Sequence, residues 1–214
     1  MILDRNFVIS ALKGTIPINQ PDIHGCPPLI TALRLDEKEW VIKLLKKGAD
    51  PNITTSLGSN PLLVSMNTKE PFHYLRLLLS YGASFSMTYV HDTTPFIELC
   101  FRCQFQSALY LLKKGFDINT KNRQNETALH YFCKHPYRIS HINVIEFLLH
   151  YGADPTICNH KGQTPLSLLF DYQHYQYLPV FYPHLLRLSL ADQQRVKKER
   201  LRLLMRDDQK NNQD

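Results

Sequence analysis

The sequence has little glycine and no long apolar run. Only 8 of its 214 residues are glycine, which argues against a long flexible or low-complexity segment. No run of 18 apolar residues occurs, so no membrane span is predicted. Residues 1–14 place Asp4 and Arg5 before a short apolar stretch and lack a small-residue cleavage site. They therefore do not resemble a signal peptide.

The five cysteines are an odd number, and their spacing does not suggest a disulfide framework. A chain of this length can bury a core without covalent cross-links. Reduced thiols in a cytoplasmic compartment are therefore expected. The cysteines are Cys26, Cys100, Cys103, Cys133 and Cys158.

Motifs of catalysis and cofactor binding are also missing. The sequence contains no glycine-rich phosphate loop, no GxSxG elbow and no HExxH helix. Cys100 and Cys103 have the spacing of half a zinc site, with no second pair to complete it. Four further side chains that could bind a metal lie close together in the sequence: His130, Cys133, His135 and His141. Their spacing does not match that of a closed tetrahedral metal site. No catalytic residue, cofactor or metal ligand is predicted, and an enzyme would require an unrecognised site.

What the chain does contain is an internal repeat. Four segments end in a leucine pair, two variable residues and a glycine, and the glycines lie 34, 33 and 37 residues apart. The four glycines are Gly48, Gly82, Gly115 and Gly152. Three of the four leucine pairs are followed by Gly-Ala, and the third by Gly-Phe. Each glycine lies where a helix requires a left-handed stop.

A second landmark has nearly the same period. Five segments carry Pro-Leu, Pro-Phe or Ala-Leu, with spacings of 33, 34, 33 and 37 residues. They begin at Pro28, Pro61, Pro95, Ala128 and Pro165. In four of them Thr or Asn precedes the first residue and can cap a helix, and proline is well suited to the first helical turn. Each unit is thus predicted to hold two helices and a polar loop, with Leu78 and Leu112 in the core.

This pattern resembles the ankyrin-repeat family, which has a Thr-Pro-Leu-His start and a Leu-Leu-x-x-Gly-Ala-Asp end. The resemblance implies an all-α solenoid of stacked helix-turn-helix units with hairpin-like loops and capping end repeats. We expect a capping half-repeat over residues 1–21, about five repeats over 22–186, and a basic tail over 187–214. His130 is the only histidine at the family's His position.

The resemblance also implies a partner-binding groove formed by the loop tips and the first helices. Carried onto this sequence, the loop-tip positions are Leu57, His91, Arg123, Gln124, His160 and Lys161. The first helices contribute Phe101, Arg102, Lys134 and His135. Phe101 and Arg102 are expected to lie beside Lys134 and His135, and these cations favour a partner with an acidic contact surface.

The function implied is protein–protein interaction without catalysis. The chain resembles ankyrin-repeat effectors that intracellular bacteria deliver into host cells; a ubiquitin-ligase substrate adaptor or another regulatory scaffold is the alternative. A monomer is expected, with no small-molecule substrate and no nucleic acid. Six cations lie between Arg195 and Arg206. This basic tail is compatible with a solvated helix end, a nuclear address or secretion signal, or a partner-binding helix.

Overall fold

The computed structural model describes residues 4–85, 93–135 and 140–199, apart from the side chains of residues 140 and 185. The chain forms two compact units, Met1–Phe116 and Asp117–Asp214. The described residues are helical and contain no strand. The all-α prediction is confirmed for the described residues.

The N-terminal unit is built from helix pairs. Its helices are α1 (Arg5–Lys13), α2 (Pro28–Arg34), α3 (Lys38–Lys46), α4 (Pro61–Ser65), α5 (Pro71–Ser80), α6 (Pro95–Phe101) and α7 (Phe105–Lys113). Within a repeat, α2 packs on α3, α4 on α5 and α6 on α7. Between repeats, α2 also packs on α4, and α1 covers α2 and α3 at the N-terminal end.

The C-terminal unit repeats the same arrangement with a different end. Its helices are α8 (Ala128–Lys134), α9 (Ser140–His150) and α10 (Pro165–Asp171), followed by a 3₁₀ helix (Tyr175–Arg187). Helix α8 packs on α9 and on α10, and the 3₁₀ helix packs on α9 and α10. A further helix begins at residue 190 and extends through residue 199 of the described chain.

The first helices begin where the sequence predicts, and a side chain caps α4, α6, α8 and α10, whereas α2 follows Pro27 and has no such cap. The Asn60 amide oxygen accepts from the backbone N–H of Leu63 at 2.8 Å. Thr94 and Thr164 do the same at α6 and α10. At α8 the cap is reciprocal, since the Thr127 backbone N–H donates to Nδ1 of His130 at 3.1 Å. These bonds satisfy N–H groups that the first helical turn leaves unpaired.

The first leucine of each repeated pair lies in the core, and in the first and fourth pairs the second leucine, Leu45 or Leu149, is buried as well. Leu78 is fully buried, as predicted, and so are the equivalent Leu44, Leu111 and Leu148. Leu112 was expected in the core and is only half-buried. The expectation for Leu112 is wrong because the buried face of α7 is centred on Ser107, Ala108 and Leu111, which leaves Leu112 at its edge.

Asparagine side chains tie neighbouring repeats together within each unit. The Asn19 side chain accepts from the backbone N–H of Asp50 at 2.9 Å. Asn52 accepts from Ser84 at 2.7 Å in the next repeat. In the C-terminal unit, Asn119 accepts from Asp154 at 2.8 Å. The bonds recur because each loop follows the same turn and offers its amide oxygen to the residue after the next Gly-Ala pair.

The start of the basic tail packs on the last repeat. Val196 is 1% exposed and Leu188 is 5% exposed. The Arg187 guanidinium donates to the carbonyl oxygens of Leu149 at 3.2 Å and Ala153 at 3.0 Å. Leu149 lies in the last turn of α9 and Ala153 follows that helix, so the guanidinium holds the chain at this helix end. The described residues of the tail thus include a buried contact surface.

Candidate protein-binding site

Four loop tips share one turn, in which the first residue accepts backbone N–H groups through its side chain. Asp22 Oδ1 accepts from His24 and Cys26, both at 2.9 Å. Asn122 and Asn159 make the same pair of bonds, and Thr55 makes one of them. The turns span residues 22–26, 55–59, 122–126 and 159–163. An oxygen-bearing side chain at the first position holds each tip without a strand pairing.

The fourth residue of each tip has a left-handed backbone. It is Gly25, Gly58, Asn125 or Gly162, with φ between 58° and 75°. Glycine adopts this conformation without a Cβ penalty, and Asn is among the residues that tolerate it best. The second and third residues of each tip consequently point outward.

The outward residues include most of the predicted loop-tip positions. Leu57, Arg123, Gln124, His160 and Lys161 all lie at tips and are exposed. His91 lies outside the described residues. Leu57 is a large apolar residue that is 82% exposed, so packing in the core does not explain why leucine occupies this position. Its part in binding a partner stays a prediction.

A groove of about 810 Å³ lies between loop tip 55–59 and the first helices of the N-terminal unit. Its walls come from three repeats. One wall is the tip itself, with Leu57 at the rim, and Leu63 and Val64 supply apolar surface from α4. Charged side chains of both signs complete the lining: Arg34, Asp36, Lys69, Glu98 and Arg102. The structure therefore brings two of the predicted residues, Leu57 and Arg102, to one groove.

Arg102 in this groove is held by two neighbours. Its Nε donates to Glu98 at 2.7 Å, and its Nη1 donates to the amide oxygen of Asn67 at 2.6 Å. Asn67 belongs to the preceding repeat, so this guanidinium bridges two repeats. It stabilises the stack at the groove wall, where Glu98 balances its charge.

Phe101 lies next to Arg102 in sequence but does not line this groove. It is half-buried. In the C-terminal unit, the Lys134 ammonium pairs with the largely buried Glu126 at 3.0 Å. His135 is half-buried, and its ring lies 5.3 Å from that of Tyr131. Burial lowers the pKa of His135, and the Lys134 cation adds to this effect.

His160 joins two loop tips of the C-terminal unit. Its Nε2 lies 2.7 Å from the carbonyl oxygen of Arg123, and its backbone N–H donates to the Gln124 carbonyl at 3.1 Å. Tips 122–126 and 159–163 are thereby joined. Arg123, Gln124 and His160 thus form one surface, and Lys161 is the outward neighbour of His160.

Sequence reasoning missed the first loop tip. Ile23, at the position equivalent to Ser56, is 95% exposed, and His24 beside it is exposed as well. The signal was available, because Gly25 precedes Gly58 by the repeat period and Asp22 provides the oxygen of the turn. Arg34 and Lys69 were also missed, since which helix ends face a groove depends on packing.

The thiols divide into buried and exposed groups. All five are free thiols; Cys26, Cys100 and Cys133 are buried, whereas Cys103 and Cys158 are exposed. Burial raises the pKa of Cys100 and of Cys133. Across the described residues, no group of three or more His, Cys, Asp or Glu side chains is placed to hold a metal ion. None of the helices in the described parts is long and apolar enough to cross a membrane.

Comparison with known proteins identifies the repeats. Residues 100–184 match the family profile described as ankyrin repeats in three copies. An ankyrin-repeat protein of Rickettsia felis is 24% identical over 132 residues, which cover 61% of this chain and 58% of that protein. The ankyrin-repeat protein L92 of Acanthamoeba polyphaga mimivirus is 32% identical over 154 residues, covering 67% of this chain and 36% of that protein. The chain thus contains ankyrin repeats.

A solved structure has the same fold. One chain in the complex of the Bdellovibrio bacteriovorus predatory endopeptidase Bd0816 with immunity protein Bd3460 superimposes with a TM-score of 0.67. The match has 23% sequence identity and covers 83% of this chain and 96% of that chain. The chain spans about three fifths of the Rickettsia relative and about a third of the mimivirus relative. Ankyrin repeats are a general protein–protein interaction module, typically without catalytic activity.

Proposed function

We propose that this chain binds a partner protein through the groove between loop tip 55–59 and helices α2, α4 and α6. One observation carries the proposal: Leu57 is 82% exposed at the rim of an open groove of about 810 Å³. A large apolar side chain so placed can enter a pocket on a partner. Apolar anchors surrounded by polar groups are typical of interface hot spots.

The groove walls favour a partner segment with mixed charge. Arg102 and Glu98 already pair with each other, so their net contribution to the field is small. Arg34 and Lys69 add positive charge, and Asp36 adds one negative charge. The slight positive excess supports the predicted acidic contact surface, which would mainly accelerate association.

The finer biological setting is part of the same proposal. The protein acts as a monomer in the cytoplasm, without catalysing a reaction, and the partner is a host protein bound by a delivered effector. The relatives in Rickettsia felis and in a mimivirus agree with such a source. The neighbouring fold occurs in a complex between two proteins, which supports binding as the mode of action.

The test is quantitative capture of partners from host-cell lysate, followed by mass spectrometry. Leu57→Asp should reduce recovery of the specific partner about tenfold or more, because a buried anchor would become a charge. Leu186→Asp is the matched control, since Leu186 is 96% exposed and does not line the groove. Equal recovery by Leu57→Asp and the wild type would overturn the proposal, and recovery of cullin components would identify a ligase adaptor.

A further inference from the structure

A second groove lies beside the first loop tip. It has a volume of about 700 Å³ and is formed by α1, the segment after it and loop tip 22–26. Its apolar lining includes Phe7, Ile16, Pro21 and Ile23. Loop tips 22–26 and 55–59 are in contact, because a Cβ at Gly25 would lie 3.0 Å from the Ser56 hydroxyl oxygen. This groove therefore adjoins the surface that carries Leu57.

The charge of this groove is of one sign. Asp4 and Asp22 are its carboxylates, and its lining contains no Lys or Arg. Each uses Oδ1 to accept from the backbone, Asp4 from Asn6 at 2.8 Å and Asp22 from His24 and Cys26. Within the described residues, no hydrogen bond or ion pair to either Oδ2 atom is found. Arg5 pairs with Glu37 instead, at 2.7 Å.

Apolar and acidic features therefore coincide at one place. Phe7 and Ile16 are half-buried in the groove, and Ile23 at its edge is 95% exposed. The loop turn does not require isoleucine at this position, since Ser, Arg and His occupy it in the other three tips. The carboxylates hold two negative charges in a chain whose net charge is +6.

We propose that this groove binds a basic, apolar segment of the partner, in which Lys or Arg flanks a bulky apolar side chain. The apolar side chain packs on Ile23, Phe7 and Ile16, and the cations lie against Asp4 and Asp22. The proposal rests on the proposed function and adds a selectivity that the larger groove lacks. Like-charged segments are rejected because acidic side chains would face two carboxylates.

The probes are three peptides, GSKLKLKSG, GSELELESG and GSKSKSKSG, titrated into the ¹⁵N-labelled full chain and followed by amide shifts. The first should shift the amides of Ile23 and His24 and bind at least tenfold more tightly than the other two. Its affinity should fall when ionic strength is raised tenfold, because exposed ion pairs are screened. Equal binding of the acidic peptide, or no binding of the first, would overturn the proposal.

Variants separate charge from structure. Asp4→Asn with Asp22→Asn removes both charges and keeps an oxygen that accepts the same backbone bonds. Affinity for the first peptide should drop about fivefold, as is typical for exposed pairs. Asp50→Asn is the matched control, because Asp50 accepts from Asn52 in the same way but lies outside the groove. Unchanged affinity in the double variant would reject the charge assignment, while the effect of Leu57→Asp on partner capture would test the larger groove independently.

Discussion

Asp192 accepts a hydrogen bond from the Thr164 hydroxyl at 2.8 Å. Thr164 caps α10, so this bond joins the beginning of the basic tail to the last repeat. Asp192 is 3% exposed, and Ser189 also donates to the same carboxylate oxygen, at 3.0 Å. The carboxylate thus links the cap of one helix to the start of the next.

Asp192→Ala should lower the free energy of unfolding by about 1–3 kcal/mol, because it leaves the buried Thr164 hydroxyl and the half-buried Ser189 hydroxyl without their acceptor. Chemical denaturation followed by circular dichroism would measure it. Gln194→Ala in the same helix is the control, since Gln194 is exposed, and it should change stability by less than about 0.5 kcal/mol. Equal stabilities for the two variants would show that the tail does not cap the stack.

Leu111→Ala should cost about 2–4 kcal/mol of stability, because Leu111 is fully buried and the change leaves a cavity. Leu112→Ala should cost distinctly less, since Leu112 is half-buried. The two neighbouring variants form a matched pair for thermal and denaturant unfolding. A larger loss in Leu112→Ala would mean that α7 presents its other face to the core.

Cys103→Gly should raise stability by about 0.5–1 kcal/mol. Cys103 has φ 55°, a left-handed conformation that strains a residue with a Cβ and that glycine adopts freely. Gln106→Gly in α7 is the opposite control and should lower stability by about 1 kcal/mol, because glycine is a poor helix former. The melting temperatures of both variants would be measured with a reductant present, so that oxidation of the thiol does not affect the comparison. A lower melting temperature for Cys103→Gly than for the wild type would refute the strain argument.

Stability should fall as the pH is lowered below about 6.5, because the folded chain lowers the pKa of the buried His130. Burial lowers the pKa of His130, although its bond to Gln163 and the charge of Glu126 oppose the shift. The unfolded chain therefore binds protons first as the pH falls, and the penalty grows until the folded-state pKa is reached. His130 must also lose an acceptor when it is charged, since Nδ1 accepts from Thr127.

The measurement is the melting temperature between pH 7.5 and 5 in the wild type and in His130→Gln. The variant should melt at a lower temperature than the wild type at pH 7.5, and its melting temperature should decline less steeply as the pH falls. His24→Gln is a suitable control because His24 is exposed. A slope that is identical in His130→Gln and the wild type would contradict the assignment.

The candidate site was only partly predictable. Leu57 and the tip residues of the C-terminal unit follow from the repeat period, because the turn places the same two positions outward in each repeat. Ile23 follows the same rule, but the first repeat lacks a preceding Leu-Leu-Gly landmark and was overlooked. One of the two bonds that fix Arg102 goes to Asn67, 35 residues away, and no local pattern reveals it.

The sequence by itself determined the repeat architecture of this protein. A side-chain cap starts α4, α6, α8 and α10, and a left-handed glycine follows α3, α5, α7 and α9, because these effects act within a few residues. Only the tertiary structure decided that Leu111 rather than Leu112 is buried, that Asp36, Cys103 and Gln173 adopt left-handed turns, and that Asp192 anchors the tail. Those outcomes depend on which surfaces meet when repeats stack, and residues far apart in the chain supply the partners.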